Sequence, residues 1–295
     1  MISILVAQNR PGGIDVLTST LRESSNQDFE LVICDELFPT YRAENPQVGK
    51  GAWRLGSPGD PRWGRYMQSL NRAVSYAKGD VLLFVSDYTA FSPETLATHA
   101  AFHAAHDAKA VMLGGIEYAA LPPLHADFPL RYGWGAIGYD PANHDDEKHA
   151  PWLDKKRRHE LYEEWRIAYE ADLASGLLAP FMHSTFATPI TSYADTAALK
   201  VCQFNDRSPP SQFLSLKNDS FKRSLLTEIG GFDERADGTH GHQDSITHRH
   251  MVKAGATFHA VPEHPVRVCD AHRIAIIRRA GLDDEANLKL AEALQ

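Results

Sequence analysis

Apolar residues in this chain fall into short continuous runs separated by polar and helix-like stretches. Residues 2–6 (ISILV) are uninterrupted, as expected of a parallel strand covered on both faces. Asn9-Arg10-Pro11-Gly12-Gly13 breaks the run, and Ile14, Leu17 and Leu21 then share one face of a helix. FELVIC (29–34) reads as a second buried strand and ends in Asp35-Glu36. Residues 37–64, rich in Gly, Pro, Arg and Trp, read as a long loop, a kind of segment that is usually functional or mobile. A helix over 66–78, a turn at Gly79-Asp80 and a third strand, VLLFV (81–85), follow. Ser92-Pro93-Glu94 predicts a helix start, with serine as N-cap and proline at the first helical position. That helix runs to about His106, and AVMLGGIEY (110–118) is a fourth strand. The alternation predicts an α/β fold with a Rossmann-like, mostly parallel central sheet flanked by helices. Ligands of such sheets bind at the carboxyl ends of strands. Two of those ends carry Asp35-Glu36 and Ser86-Asp87-Tyr88, so a nucleotide is expected there.

After Tyr118 the pattern changes. Residues 119–210 mix Pro, Gly and aromatics with a charged helical stretch over about 151–175 and read as an insertion or lid. Strand-like segments return at 199–204 and 211–216. A helix from Phe221 to Ile229 ends at Gly230-Gly231, and another runs from Gln243 to Gly255. Strands at 256–261 and 265–269 lead to Asp270-Ala271-His272, and an amphipathic helix over 283–294 closes the chain. One continuous domain is expected, in three stretches: 1–118, the insertion at 119–210, and 211–295 with its closing helix.

Composition narrows the class of protein. The chain has 295 residues, 43% hydrophobic and 23% charged, as in an ordinary globular enzyme. Its formal net charge of −8 disfavours nucleic acid and anionic membranes as partners of the whole surface. The basic run Lys155-Lys156-Arg157-Arg158 is followed by Glu160, Glu163 and Glu164 and reads as a solvated helix face. The cysteines, Cys34, Cys202 and Cys269, are scattered and form no C-x-x-C, so a reducing cytoplasm is expected and a disulfide framework is not. The N-terminal apolar run lacks a basic leader and a cleavage site, and no run approaches a membrane span.

The stretch THGHQDSITHRH (239–250) suggests a metal site, because His240, His242 and Asp244 approximate the H-x-H-x-D-H run of metallo-β-lactamase-type hydrolases. Other motifs point elsewhere. Ala7-Gln8-Asn9-Arg10-Pro11 follows the first strand, Asp35-Glu36-Leu37 ends the second, and Leu70-Asn71-Arg72-Ala73 leads through Ala77-Lys78-Gly79-Asp80 into the third. FVSDYTAFSPETL (84–96) places Ser86-Asp87-Tyr88 ahead of a proline-started helix. Asn218-Asp219-Ser220-Phe221-Lys222-Arg223, Gly230-Gly231-Phe232-Asp233-Glu234 and Gln243-Asp244 come later. In this order and spacing the chain resembles the family 2 glycosyltransferases, which have the GT-A fold; the resemblance covers about 1–118 and 211–272.

The resemblance implies transfer of a sugar from a UDP-, GDP- or CDP-linked donor to an acceptor hydroxyl, with inversion, by a hexosyl- or pentosyltransferase. It implies that Ala7, Gln8, Asn9, Arg10, Asp35, Asn71, Ser86, Asp87 and Tyr88 line the donor site, with Asp35 on the nucleobase. Asp87 and His272 would face Mn²⁺ or Mg²⁺ and the diphosphate, Asp244 would be the general base, and Trp134, Gln243 and His242 would line the acceptor site. The acceptor itself, whether saccharide, small molecule, protein or modified nucleobase, is left open, and region 119–210 is expected to choose it.

Two motifs depart from the family pattern. Only the middle residue of the D-x-D is acidic, so a metal would be held weakly, and Gln243 replaces the glutamate beside the base. A catalytically weakened, nucleotide-binding relative is therefore the alternative reading. The hydrolase fits less well, because only 45 residues follow His250, Ser245 stands where the last histidine should, and the glycine cap before the run has no place in that scheme. At a helix start, backbone N–H groups are expected to keep Asp244 ionised; His248 and His250 are then bystanders. His99, His103 and His106 share a helix face as a zinc pair or, as expected without an H-E-x-x-H frame, in a surface or packing role. Trp53, Arg54, Arg62, Trp63 and Arg65 either cover the donor or bind phosphate, or belong to an ordinary loop anchored by the two tryptophans.

Overall fold

The computed structural model describes residues 1–8, 13–35, 47–56, 66–119, 167–168, 171–172, 174–177, 190–198, 201–202, 214–236 and 243–268. The first part of the chain forms β1 (Ile2–Gln8), α1 (Gly13–Leu21), β2 (Phe29–Asp35), β3 (Ala52–Gly56), α2 (Tyr66–Tyr76), β4 (Val81–Val85), β5 (Thr89–Ala90), α3 (Thr95–Ala105) and β6 (Ala110–Ala119). The later part supplies β7 (Val201–Cys202), β8 (Asn218–Lys222), α4 (Arg223–Glu228), α5 (Gln243–Lys253) and β9 (Thr257–Val268). All strands join one sheet in the order β3-β2-β1-β4-β8-β6-β9-β5, with β7 pairing β6. β3, β2, β1 and β4 are mutually parallel; β8 enters antiparallel between β4 and β6. The fold is the expected α/β class, with a mostly parallel sheet and helices on both faces.

Alternation along the strands divides the core. Leu5, Val32, Leu82, Phe84, Val111 and Phe221 face α2, α4 and α5, meeting Met67, Leu70, Leu225 and Met251. Ile4, Val6, Leu31, Ile33, Leu83 and Val85 face α1 and α3, meeting Ile14, Leu17, Leu21 and Leu96. Both faces are covered, which is why these strands read as unbroken apolar runs rather than alternating ones.

The elements differ from the sequence expectation where polarity hides a strand. β3 lies inside the predicted long loop, where its Trp53 and Arg54 gave no apolar run. The helix predicted from Phe221 starts at Arg223 instead, because residues 218–222 are strand. Of the strand predicted at 211–216, residues 214–216 precede β8 as irregular, bending backbone, and 211–213 lie outside the described residues. α3 starts at Thr95 rather than Pro93: the Ser92 hydroxyl meets the Thr95 hydroxyl at 2.8 Å, and Glu94 is the cap residue. The two predicted C-terminal strands are one, β9, with a register shift opposite Gly114 and Ile116. Of the predicted helix at 151–175, residues 167–168, 171–172 and 174 are helical, and the tail helix at 283–294 lies outside the described residues.

Candidate functional site

The carboxyl ends of the parallel strands bring the expected donor residues to one edge. Gln8 ends β1 opposite Asp35, and Asp35 ends β2 opposite Gly56. β4 ends at Val85, paired with Asn218, so Ser86 and Asp87 leave the sheet beside Lys217, which immediately precedes β8. Ala7 is 8% exposed, Asp87 2% and Tyr88 8%. The Ser86 and Thr89 hydroxyls are 3.0 Å apart. They close a tight turn that carries Asp87 and Tyr88 into β5, where Thr89 pairs Val268.

Asp244 stands in the first turn of α5. The Ser245 N–H donates to its Oδ1 at 2.7 Å, and the Ser245 hydroxyl approaches at 3.4 Å. Burial nevertheless holds this carboxyl above the usual carboxylate range, against the opposing pull of Ser245 and the Lys217 charge. The helix-start hydrogen bond expected at Asp244 is present, and desolvation outweighs it in setting the direction of the shift. The same shift makes Asp244 a better proton acceptor when deprotonated. The influence of Lys217 on Asp244 links α5 to the edge that carries Ser86 and Asp87. Lys217 carried no signal in the sequence, because its placement depends on the pairing of β8 with β4. Gln243 opens the same helix. His248, one turn on, packs its ring against Phe258 with centroids 4.3 Å apart.

Asn71 has a role that sequence reasoning did not give it. Its amide donates to the Phe232 carbonyl and to Glu234 Oε1, both at 2.9 Å, and its Oδ1 accepts the Phe232 N–H at 2.9 Å. It therefore clamps α2 to the Gly-Gly-Phe-Asp-Glu segment. Gly230 and Gly231 have φ of 81° and 87°, which a side chain would strain, and Gly231 N–H caps α4 by donating to the Leu226 carbonyl at 2.9 Å. That turn delivers Phe232 edge-on to Phe84. Arg223 makes a second clamp, donating from Nη2 and Nε to the Gly79 carbonyl at 2.8 and 3.1 Å and from Nη1 to the Val74 carbonyl at 3.0 Å. Removing these Asn71 bonds leaves backbone groups unpaired, so Asn71→Ala is expected to lower stability by about 1–3 kcal/mol. Denaturant unfolding measures this. Unchanged stability with weakened nucleotide binding would instead return Asn71 to the donor site.

Trp53 lies away from the carboxyl edge. Its indole N–H donates to the buried Glu30 at 3.3 Å, and Lys78 Nζ sits 4.8 Å from the ring centroid. Of its two readings, the anchor is the one its contacts fit. His99 and His103 are fully packed, as expected, with partners given below. Asn9, Arg10, Arg62, Trp63, Arg65, Trp134, His240, His242 and His272 lie outside the described residues. Among the described residues no three His, Cys, Asp or Glu side chains are arranged to hold a metal. Asp87, between a serine and a tyrosine, is the one expected ligand among them; His272, the other, lies outside the described residues. No helix among the described residues is long and apolar enough to cross a membrane.

No protein-family model and no curated protein matches the chain. Similar solved structures include the mannosyltransferase PcManGT from Pyrobaculum calidifontis in complex with GDP-Man and Mn²⁺, at 14% identity over 95% of this chain and 60% of that one, TM-score 0.46. S. aureus TarS 1–349 in complex with UDP-GlcNAc is similar at 11% identity over 91% of this chain and 58% of that one, TM-score 0.46. GalNAc-T7 with UDP, GalNAc and Mn²⁺ is similar at 10% identity over 91% of this chain and 44% of that one, TM-score 0.49. The chain thus spans between 44% and 60% of the length of these three structures, each of which was solved with a nucleotide or nucleotide sugar.

Proposed function

We propose that the protein is a GT-A-type glycosyltransferase that moves a sugar from a nucleotide diphosphate to an acceptor hydroxyl with inversion. The observation that carries this is Asp244: a half-buried carboxylate with raised basicity at a helix start, coupled through Lys217 to the strand end that holds Ser86 and Asp87. In the proposed step the acceptor oxygen bonds to the anomeric carbon as the bond from that carbon to the diphosphate oxygen breaks. The electron pair leaves with the diphosphate, and the acceptor proton passes to Asp244. The donor nucleotide lies across Gln8, Asp35 and Ser86-Asp87, where the sheet ends. Thermal stabilisation by UDP, GDP or CDP, followed by mass spectrometry of products from a panel of donor sugars, tests the reading. Failure of all three nucleotides to stabilise the protein would overturn it. Nucleotide stabilisation with no donor turnover would support the binding-only alternative, which the single acidic residue at 86–88 favours.

Asp87 has its own test. If it faces the diphosphate together with a cation, Asp87→Asn removes the gain in nucleotide affinity that Mn²⁺ confers. Calorimetric titration with and without Mn²⁺ reads this directly, and equal affinities of parent and variant in both conditions would take Asp87 out of the site.

A further inference from the structure

On the face of the sheet away from α5, α3 buries two histidines against β8. His99 is 0% exposed and His103 3%. Their bonds fix every proton in the cluster. The Gly115 carbonyl can only accept, so Asn218 donates to it through Nδ2, at 2.8 Å. That turns Asn218 Oδ1 toward His99 Nε2, 3.0 Å away, which must carry a proton. His99 Nδ1 is then a bare acceptor, and the Ser220 hydroxyl donates to it at 2.7 Å. Ser220 Oγ in turn accepts from His103 Nε2 at 2.8 Å. His103 Nδ1 is left bare, buried and without a partner. Two neutral Nε2–H rings and one direction of donation are the arrangement that satisfies all four contacts.

The chain of bonds ends at the candidate site. Asn218 is the residue that pairs with Val85, the last of β4, and it follows Lys217. Its amide spans to Gly115 at the irregularity in β6, and a Cβ on Gly114 would lie 2.3 Å from its Nδ2. The side chain at 218 therefore has one place to lie, and the three strands meet through it.

We propose that His99 is a positioning residue: held by Ser220 and His103, it orients Asn218 and so fixes the meeting of β4, β8 and β6 beside Ser86, Asp87 and Lys217. This rests on the reading of that edge as the site of transfer. Burial lowers His99 to about 4 and His103 to about 3, with His99, Lys222 and His106 adding to the effect on His103, so both rings stay neutral at ordinary pH.

The test compares His99→Gln, whose amide can reproduce both bonds, with His99→Phe, which fills the space and makes neither. In the parent, histidine ¹⁵N spectra are expected to show His99 and His103 as neutral Nε2–H tautomers. His99→Phe is expected to shift the Gly115 and Lys217 amide resonances and to lower kcat by about tenfold to hundredfold with donor KM little changed, a loss typical of a misplaced catalytic group. His99→Gln is expected to restore both. Should His99→Phe fail to fold, Ser220→Ala replaces it: loss of the hydroxyl is expected to mix the His99 tautomers and displace the same two amides. An Nδ1–H tautomer at His99 in the parent, or unmoved Gly115 and Lys217 resonances in whichever variant folds, would overturn the proposal. If the parent turns over no nucleotide sugar, the functional reading fails instead, and the tautomers and amide shifts decide the positioning role by themselves.

Discussion

Asp244→Asn is expected to reduce sugar transfer by about 10²–10⁴-fold, the usual contribution of a general base. The substitution keeps the side chain's shape and its acceptance of the Ser245 N–H, so α5 should still form. Nucleotide affinity should stay near that of the parent, because the loss falls on the transition state and not on donor binding. The pH dependence sharpens the test. Burial raises the Asp244 carboxyl, so the acid limb of the parent's rate profile should stand above the ordinary carboxylate range. Activity should appear as pH rises through that limb, where the base loses its proton. The limb should vanish in the asparagine variant. Transfer retained at the parental rate would sink the assignment of Asp244 as base.

Acid destabilisation through the buried histidines is the second large effect. In the unfolded chain both rings take up a proton near their ordinary value of 6.5; in the folded protein His99 does so near 4 and His103 near 3. The unfolded state therefore binds more protons across that interval, and stability falls as pH drops through it. The stabilisation is whole above about 6.5 and is lost progressively toward 4 for His99 and toward 3 for His103. Each ring contributes a slope on the order of 1.4 kcal/mol per pH unit. Denaturant midpoints at about pH 7, 6 and 5 measure the slope. His99→Gln, which has no proton to take up, should flatten it by roughly half. A parent whose stability is level between pH 7 and about 5 would show that the rings are not buried neutral.

The parts of the fold that were legible in the sequence are those whose physics is local. β1, β2, β4 and β6 are covered on both faces and announce themselves as apolar runs. β3 is an edge strand whose Trp53 reaches Glu30 and Lys78, so it has neither the run nor the alternation that marks a strand. β8, NDSFK, is buried yet polar, because Asn218 and Ser220 face two histidines and Asp219 accepts the Leu216 N–H at 2.8 Å. No hydrophobic pattern can report a strand whose buried side chains are paired polar groups. The same holds for the site. Asp244 and Ser86-Asp87 were reached through motifs, whereas Lys217 and His99 acquire meaning only from pairings between segments more than a hundred residues apart. Asn71 was a motif residue whose clamp could not be read, because its partners, Phe232 and Glu234, lie on the far side of the insertion.

The antiparallel strand β8 also sets when this protein can become a protein. Val81 on β4 pairs with Lys222 on β8, so the open edge of β4 waits for roughly 140 further residues before its neighbour exists. At ribosomal rates of about 5–20 residues per second that delay is on the order of ten to thirty seconds. During it, a four-stranded parallel sheet, β3-β2-β1-β4, presents on the apolar strand β4 an edge of unpaired backbone N–H and C=O groups. Contacts so distant in sequence also make the final closure slow. The nascent chain should therefore lean on a chaperone until residue 222 has emerged, and chains truncated anywhere between 119 and 214 should aggregate rather than accumulate as a half-sized domain.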